Sequence, residues 1–209
     1  KDAQGNDHKY VLFIPHSYDG TRAFPVILFL HGAGETGKDG RKQVRVGLGP
    51  AVKAREKHFP FIVVFPQSEQ RTWHADSADG QRAIKILEKT QKEYNIDPNR
   101  VILTGLSMGG FGTWSLAARY PKRWAAIVPI CGGGNPATAA RIKDIPCWCF
   151  HGGADPVVPT QRSRDMIAAL RRAGGHPTYT EYPGVGHNSW DRAYATEKLY
   201  PWLRKQHRS

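Results

Sequence analysis

Apolar residues fall along this chain in short runs, separated by longer polar stretches that carry apolar stripes of their own. The runs are Tyr10 to Ile14, Val26 to Leu30, Phe61 to Phe65, Val101 to Thr104, Ala126 to Ile130, Cys147 to Phe150 and Thr178 to Tyr182. Runs of this length bounded by turn-forming residues read as strands, and the continuous Phe24-to-Leu30 segment reads as a strand buried on both faces. Between the later runs the period changes: Ala83, Ile84, Leu87 and Tyr94 recur at helical spacing within 79–95, and Met166, Ile167 and Leu170 within 160–172. Strand alternating with helix predicts an α/β domain with a mostly parallel sheet covered on both faces. The segment Asn95-Ile96-Asp97-Pro98-Asn99 reads as a turn before the Val101 strand, with Asp97 structural. Asp2 to Asn6 reads as a hairpin turn whose first strand precedes Lys1.

With 209 residues, 40% of them hydrophobic, the chain fits one domain over 1–209 with a substantial core. Its apolar runs are far shorter than the roughly 20 residues of a membrane-spanning helix, so no membrane insertion is expected. Opening at Lys1 implies a removed leader or an upstream module. The net charge of +12 favours adsorption to anionic surfaces, but the basic residues are scattered and no aromatic-basic interleaving marks a specific nucleic-acid module. Three cysteines are present; Cys147 and Cys149 share one strand face and cannot easily bridge each other. Buried free thiols are expected, with a link from Cys131 to one of the others open if the protein is exported. No His/Cys cluster has zinc spacing.

Candidate chemistry begins at Gly105-Leu106-Ser107-Met108-Gly109, directly after the Val101-to-Thr104 strand. Flanking glycines let a strand turn sharply into a helix, so that Ser107 projects above the sheet as a nucleophile. Gly110, Gly112 and the Ala117-Ala118 pair then allow the following helix to pack close. After Leu30 comes His31-Gly32-Ala33-Gly34, a flexible loop whose backbone amides can meet an oxyanion. The donors are assigned to Ala33 and Met108. Downstream, Asp155 lies just past the Cys147 strand and His187 in the loop after the Thr178 strand. Ser, Asp, His is the chain order of one triad architecture, in which the imidazole takes the serine proton and the carboxylate holds the imidazole tautomer.

Other residues are weighed against this set. His31 and His151 sit at strand ends, where a structural hydrogen bond outweighs proton transfer. Asp144 and Asp191 are rivals to Asp155, with Asp191 too near His187 in sequence. Trp73, beside His74 in the Gln67-to-Ala78 loop, reads either as an apolar or sugar-stacking wall of the site or as a surface anchor; Trp190 carries the same two readings. Glu35 either braces the oxyanion loop, the favoured role, or touches substrate. The stretch between Ile130 and Cys147 is too short for a helical cap, so the site should be open.

These residues give the chain a resemblance to the α/β-hydrolase superfamily, and within it to small single-domain serine carboxylesterases related to polysaccharide esterases and polyester depolymerases. The resemblance is carried by His31-Gly32-Ala33-Gly34-Glu35, Phe65-Pro66-Gln67, the Ser107 elbow through Gly110, and the Asp155 and His187 loops. It implies an α/β-hydrolase fold without a large cap, Ser107 as nucleophile, His187 as base then acid, and Asp155 as orienter. It implies no metal or organic cofactor. The expected substrate is a small or polymer-linked ester with a short or aromatic acyl group, such as acetyl or feruloyl on plant polysaccharide. A polyester depolymerase or a peptidase is the alternative on the same scaffold, and a noncatalytic carbohydrate-binding protein a more distant one. An extracellular or periplasmic location follows from the same resemblance.

Overall fold

The computed structural model describes residues 4–208. Seven strands form one sheet: β1 (Tyr10–Phe13), β2 (Phe24–Leu30), β3 (Ile62–Pro66), β4 (Ile96–Leu106), β5 (Ala126–Ile130), β6 (Trp148–Gly152) and β7 (Thr178–Tyr182). Their spatial order is β1-β3-β2-β4-β5-β6-β7, with β1 antiparallel to β3 and every other pair parallel. The turn expected over 2–6 lies partly outside the described residues.

Period-two alternation sorts the central strands between two cores. Val26, Leu28, Leu30, Ile62, Val64, Val101 and Leu103 point into one, while Ile27, Phe29, Val63, Phe65, Ile102 and Leu106 point into the other. Both faces of these strands are apolar because both are covered, as a parallel sheet requires. The first face is covered by α2 (Ala78–Glu93), α3 (Met108–Arg119), the single turn α4 (Ala139–Ile142) and α5 (Gln161–Arg172). The second is covered by α1 (Leu48–Ala54), α6 (Trp190–Ala195) and α7 (Leu199–Arg204). Among the described residues, only a 3-10 turn and α4 intervene between β5 and β6, which leaves no helical cap inserted there.

One expectation needs correction. Residues 96–100 are not a turn but the start of β4, which runs eleven residues. Asp97 is structural, its carboxylate accepting the Asn99 amide at 2.9 Å. The cysteines are all buried and free, with Cys131 in the second core and Cys147 and Cys149 in the first.

The chain reverses its direction of travel across the sheet at β2. From β2 it moves outward to β3, then returns to lay β4 on the opposite side and proceeds to β7. Such a switch point opens a crevice at the carboxyl ends of the two strands. Those ends carry Ala33 and Ser107.

Candidate active site

Ser107 has φ 52° and ψ −115°, a backbone conformation that side-chain-bearing residues seldom adopt. Its neighbours make the turn possible. A Cβ at Gly109 would overlap the Leu30 carbonyl, and one at Gly110 the Ile130 carbonyl. The elbow is thus wedged between the ends of β2 and β5, and the Ser107 amide donates to the Ile130 carbonyl at 2.9 Å.

His187 Nε2 lies 2.8 Å from Ser107 Oγ, and its Nδ1 lies 2.7 Å from Asp155 Oδ2. The carboxylate accepts only, so the proton sits on Nδ1 and leaves Nε2 free to receive the serine hydroxyl hydrogen. Asp155 is saturated with donors. Its Oδ1 accepts the amides of Val157 and Val158 at 2.8 and 3.0 Å, and its Oδ2 also faces His151 Nε2 at 3.2 Å. Burial pushes the Asp155 carboxyl up, but the bonds from His187, Val158 and Val157 outweigh it and hold the group below its ordinary value. It therefore stays ionised beside the imidazole.

His151, expected to make a structural hydrogen bond at its strand end, makes one that reaches the triad carboxylate. Its Nε2 faces two acceptors, Val158 O at 2.9 Å and Asp155, while Nδ1 meets the Ser163 hydroxyl at 2.7 Å. Two acceptors at Nε2 fix the proton there. Burial lowers its pKa, so it remains neutral and props Asp155 from the side opposite His187. The only signal in the sequence was its position four residues before Asp155.

The register of β2 and β4 places the two assigned oxyanion donors. Leu30 pairs with Gly105, and Ala33 and Met108 each lie three residues beyond that pair. Each opens a helical turn, where backbone N–H groups lack an intrahelical acceptor. Both line one cavity of about 400 Å³. The Ala33 loop is held from behind. His31 Nδ1 donates to Gly32 O at 2.6 Å, and His31 Nε2 accepts the Ser68 amide at 2.9 Å. Glu35 folds its carboxylate against the Gly32 backbone, and burial raises its pKa.

Trp73 is not a surface anchor; it lines the cavity shared by Ala33 and Met108 from within the core. It is 1% exposed, its indole N–H donates to His31 O at 3.0 Å, and its ring stands edge-on to His31. The absent side chain of Gly112 makes room for it: a Cβ there would collide with the Trp73 Cβ. Trp73 is therefore a core residue beneath the site and offers no exposed stacking face. Trp190 is half-buried and meets the His187 ring edge-on at 5.4 Å, so it walls the imidazole. Asp144 pairs with Lys143 at the surface, and Asp191 bonds Asn188. His74 is exposed.

The segment carrying Trp73 is organised by Asp79, which sequence patterning did not single out. Its fully buried carboxylate accepts the Ser68 hydroxyl at 2.6 Å and the amides of Glu69 and Gln70 at 2.8 and 2.7 Å, and pairs with Arg82. Among the described residues, one group has metal-ligand spacing: Cys131, Asp155 and His187, with ligand atoms within 4.8 Å. Two of the three are committed to each other, and burial pushes the Cys131 thiol up to about 12, so it offers no thiolate. No helix among the described residues is long and apolar enough to cross a membrane.

Comparison with known proteins places this geometry. A phospholipase/carboxylesterase family profile matches residues 66–205, and a BD-FAE profile matches residues 12–119. A bifunctional acetylxylan esterase/xylanase of Neocallimastix patriciarum is 31% identical over 150 residues, covering 68% of this chain and 21% of its own length. A probable feruloyl esterase C of Aspergillus oryzae is 24% identical over 188 residues, covering 88% of this chain and 68% of its own length. The crystal structure of a thermostable esterase superposes with a TM-score of 0.86 at 38% identity, over 95% of this chain and 59% of that one. The chain thus spans about a fifth of the Neocallimastix relative and about two thirds of the Aspergillus one.

Proposed function

The chain belongs to the phospholipase/carboxylesterase family of α/β-hydrolases, and on that premise we propose that it hydrolyses carboxylic esters through an acyl-enzyme on Ser107. One observation carries this reading: the continuous hydrogen-bond chain from Ser107 Oγ through His187 to Asp155, at 2.8 and 2.7 Å, at the head of a strained elbow.

Ser107 Oγ attacks the ester carbonyl while its proton passes to His187 Nε2. Charge collects on the carbonyl oxygen, where the Ala33 and Met108 amides receive it; a donor in that role contributes about 3 kcal/mol to the transition state. The tetrahedral adduct collapses, His187 returns its proton to the departing alcohol, and the acyl group remains on Ser107. Water then enters, gives its proton to His187 and attacks the acyl carbonyl, releasing the acid and restoring the serine. Asp155 holds the imidazole and stabilises its charged form.

The substrate class we assign is a short-chain or aromatic acyl ester, including acetyl or feruloyl groups on plant polysaccharide. Acetylxylan and feruloyl esterases among the relatives support it, as does the short β5-to-β6 connection, which leaves room for a polymer-linked ester to approach. An extracellular or periplasmic place of action accords with a polymeric substrate. The test is turnover of p-nitrophenyl esters of increasing acyl length, methyl ferulate and acetylated xylan by the native protein and by Ser107→Ala. Turnover by the native protein that falls to background in the variant is the expected result. Failure of the native protein on every ester would refute the reading.

A further inference from the structure

One face of α3 leads away from the nucleophile as the floor of a groove. Met108, Phe111, Gly112, Ser115, Ala118 and Arg119 recur at helical spacing and line two adjoining cavities of about 400 and 360 Å³. The cavities meet at His74, Phe111 and Ser115, and Ala33 and Met108 line the first. At 1.5 Å per residue the floor from Met108 to Arg119 is about 16 Å long, far more than a simple acyl group fills. Small residues keep it shallow. Phe111, 38% exposed, presents an aromatic surface midway, of the kind that packs against sugar rings.

The groove is cationic. Arg71 lines the first cavity and Arg119 and Arg141 the second, all exposed. Asp76 is the one acid among the described residues lining it, and it lies 3.8 Å from Arg119. The Arg71 backbone is held at φ 57°, a conformation that costs about 1 kcal/mol or more and persists where the surroundings impose it. Here the surroundings are the amides of Glu69 and Gln70, pinned to the buried Asp79. The fold thus fixes the Arg71 backbone at the rim of the cavity that Ala33 and Met108 line.

Resting on the esterase reading above, we propose that this groove seats a polysaccharide strand bearing carboxylates, such as uronosyl side groups, and presents its ester to Ser107. Phe111 packs against the sugar rings while Arg71 in the first cavity and Arg141 in the second meet the carboxylates. A neutral strand fits the same floor without that charge complement.

The test compares kcat/KM on an acetylated uronate-bearing xylan with the same polymer after carboxyl reduction, at low salt. The acidic polymer should be the better substrate by roughly 3- to 10-fold, mostly through KM, and 0.5 M NaCl should erase the difference because exposed charges are screened. Arg71→Gln combined with Arg141→Gln should remove the preference. Equal kcat/KM on the two polymers, or a preference that survives in the double variant, overturns the groove. So does a single-stranded oligonucleotide that inhibits polymer turnover more strongly than polygalacturonate at equal charge, which would assign the groove to nucleic acid. Turnover of p-nitrophenyl acetate, too small to span the groove, reports on Ser107 alone. Its presence alongside equal polymer rates refutes only the groove, whereas failure on this ester and on every other ester tested refutes the esterase reading itself.

Discussion

Replacing His31 by Gln tests whether the oxyanion loop is held by a neutral imidazole. Burial lowers the His31 pKa to about 4 from 6.5, against smaller opposing effects of the Gly32 carbonyl and the Asp79 charge. The physical reason is visible in its partners. Nε2 accepts the Ser68 amide and Nδ1 donates to Gly32, so a second proton would set Nε2–H against Ser68 N–H in a site without solvent. A depressed histidine pKa means that the stability is fully present above 6.5 and is lost as pH falls through 4. At about 1.4 kcal/mol per pH unit, the gap between 6.5 and 4 amounts to about 3 kcal/mol. Glutamine can still accept the Ser68 amide but does not titrate. Urea unfolding at pH 7 and pH 4 should therefore show the native protein losing about 3 kcal/mol more than His31→Gln, the carboxylates common to both cancelling in the difference. Parallel losses in the two proteins would refute the argument and return His31 to an ordinary strand-end residue.

Two further substitutions follow from the hydrogen-bond inventory. Asp155→Asn can keep an acceptor for the Val157 and Val158 amides but turns an N–H₂ toward His187 Nδ1, forcing the proton to Nε2, where it faces Ser107; kcat on p-nitrophenyl acetate should fall by about 10³- to 10⁴-fold with little change in KM. Asp79→Ala strips the partner from the buried Arg82 contact and from two loop amides, so chemical denaturation should show a loss of about 3–5 kcal/mol, and Asp79→Asn a smaller one.

What the sequence disclosed and what it withheld divide along a physical line. Central strands were legible because both their faces are buried, leaving continuous apolar runs, and α2 and α5 because one face is buried, leaving a stripe. The helices α1, α6 and α7 escaped because they are six or seven residues long, two of them containing Pro50 or Pro201, and so present too few turns for a period to emerge. The extension of β4 back to Ile96 escaped because Asp97, Pro98 and Asn99 carry turn chemistry, which pairing of Phe24 with Ile96 overrides. Trp73 was misplaced for a related reason: a polar loop predicts exposure, and nothing local reveals that Gly112, on a helix assembled later in the chain, clears a slot for the indole. Buried polar residues are the hardest case. His151 and Asp79 face backbone amides, carbonyls or other side chains, and such partners leave no periodic trace.

The side-by-side placement of Ala33 and Met108 was legible for the opposite reason. Their placement depends on backbone pairing rather than on side chains. Parallel strands lie about 4.8 Å apart, so once Leu30 pairs with Gly105 any two groups at equal offsets beyond that pair emerge side by side. Ala33 and Met108 satisfy this at three residues each. The sharp turns that follow are secured by glycines that admit the Leu30 and Ile130 carbonyls against the elbow. A site set by register and by the absence of Cβ atoms is written in the sequence as glycines after apolar runs, whereas the residues that fix its charge state are written only in three dimensions.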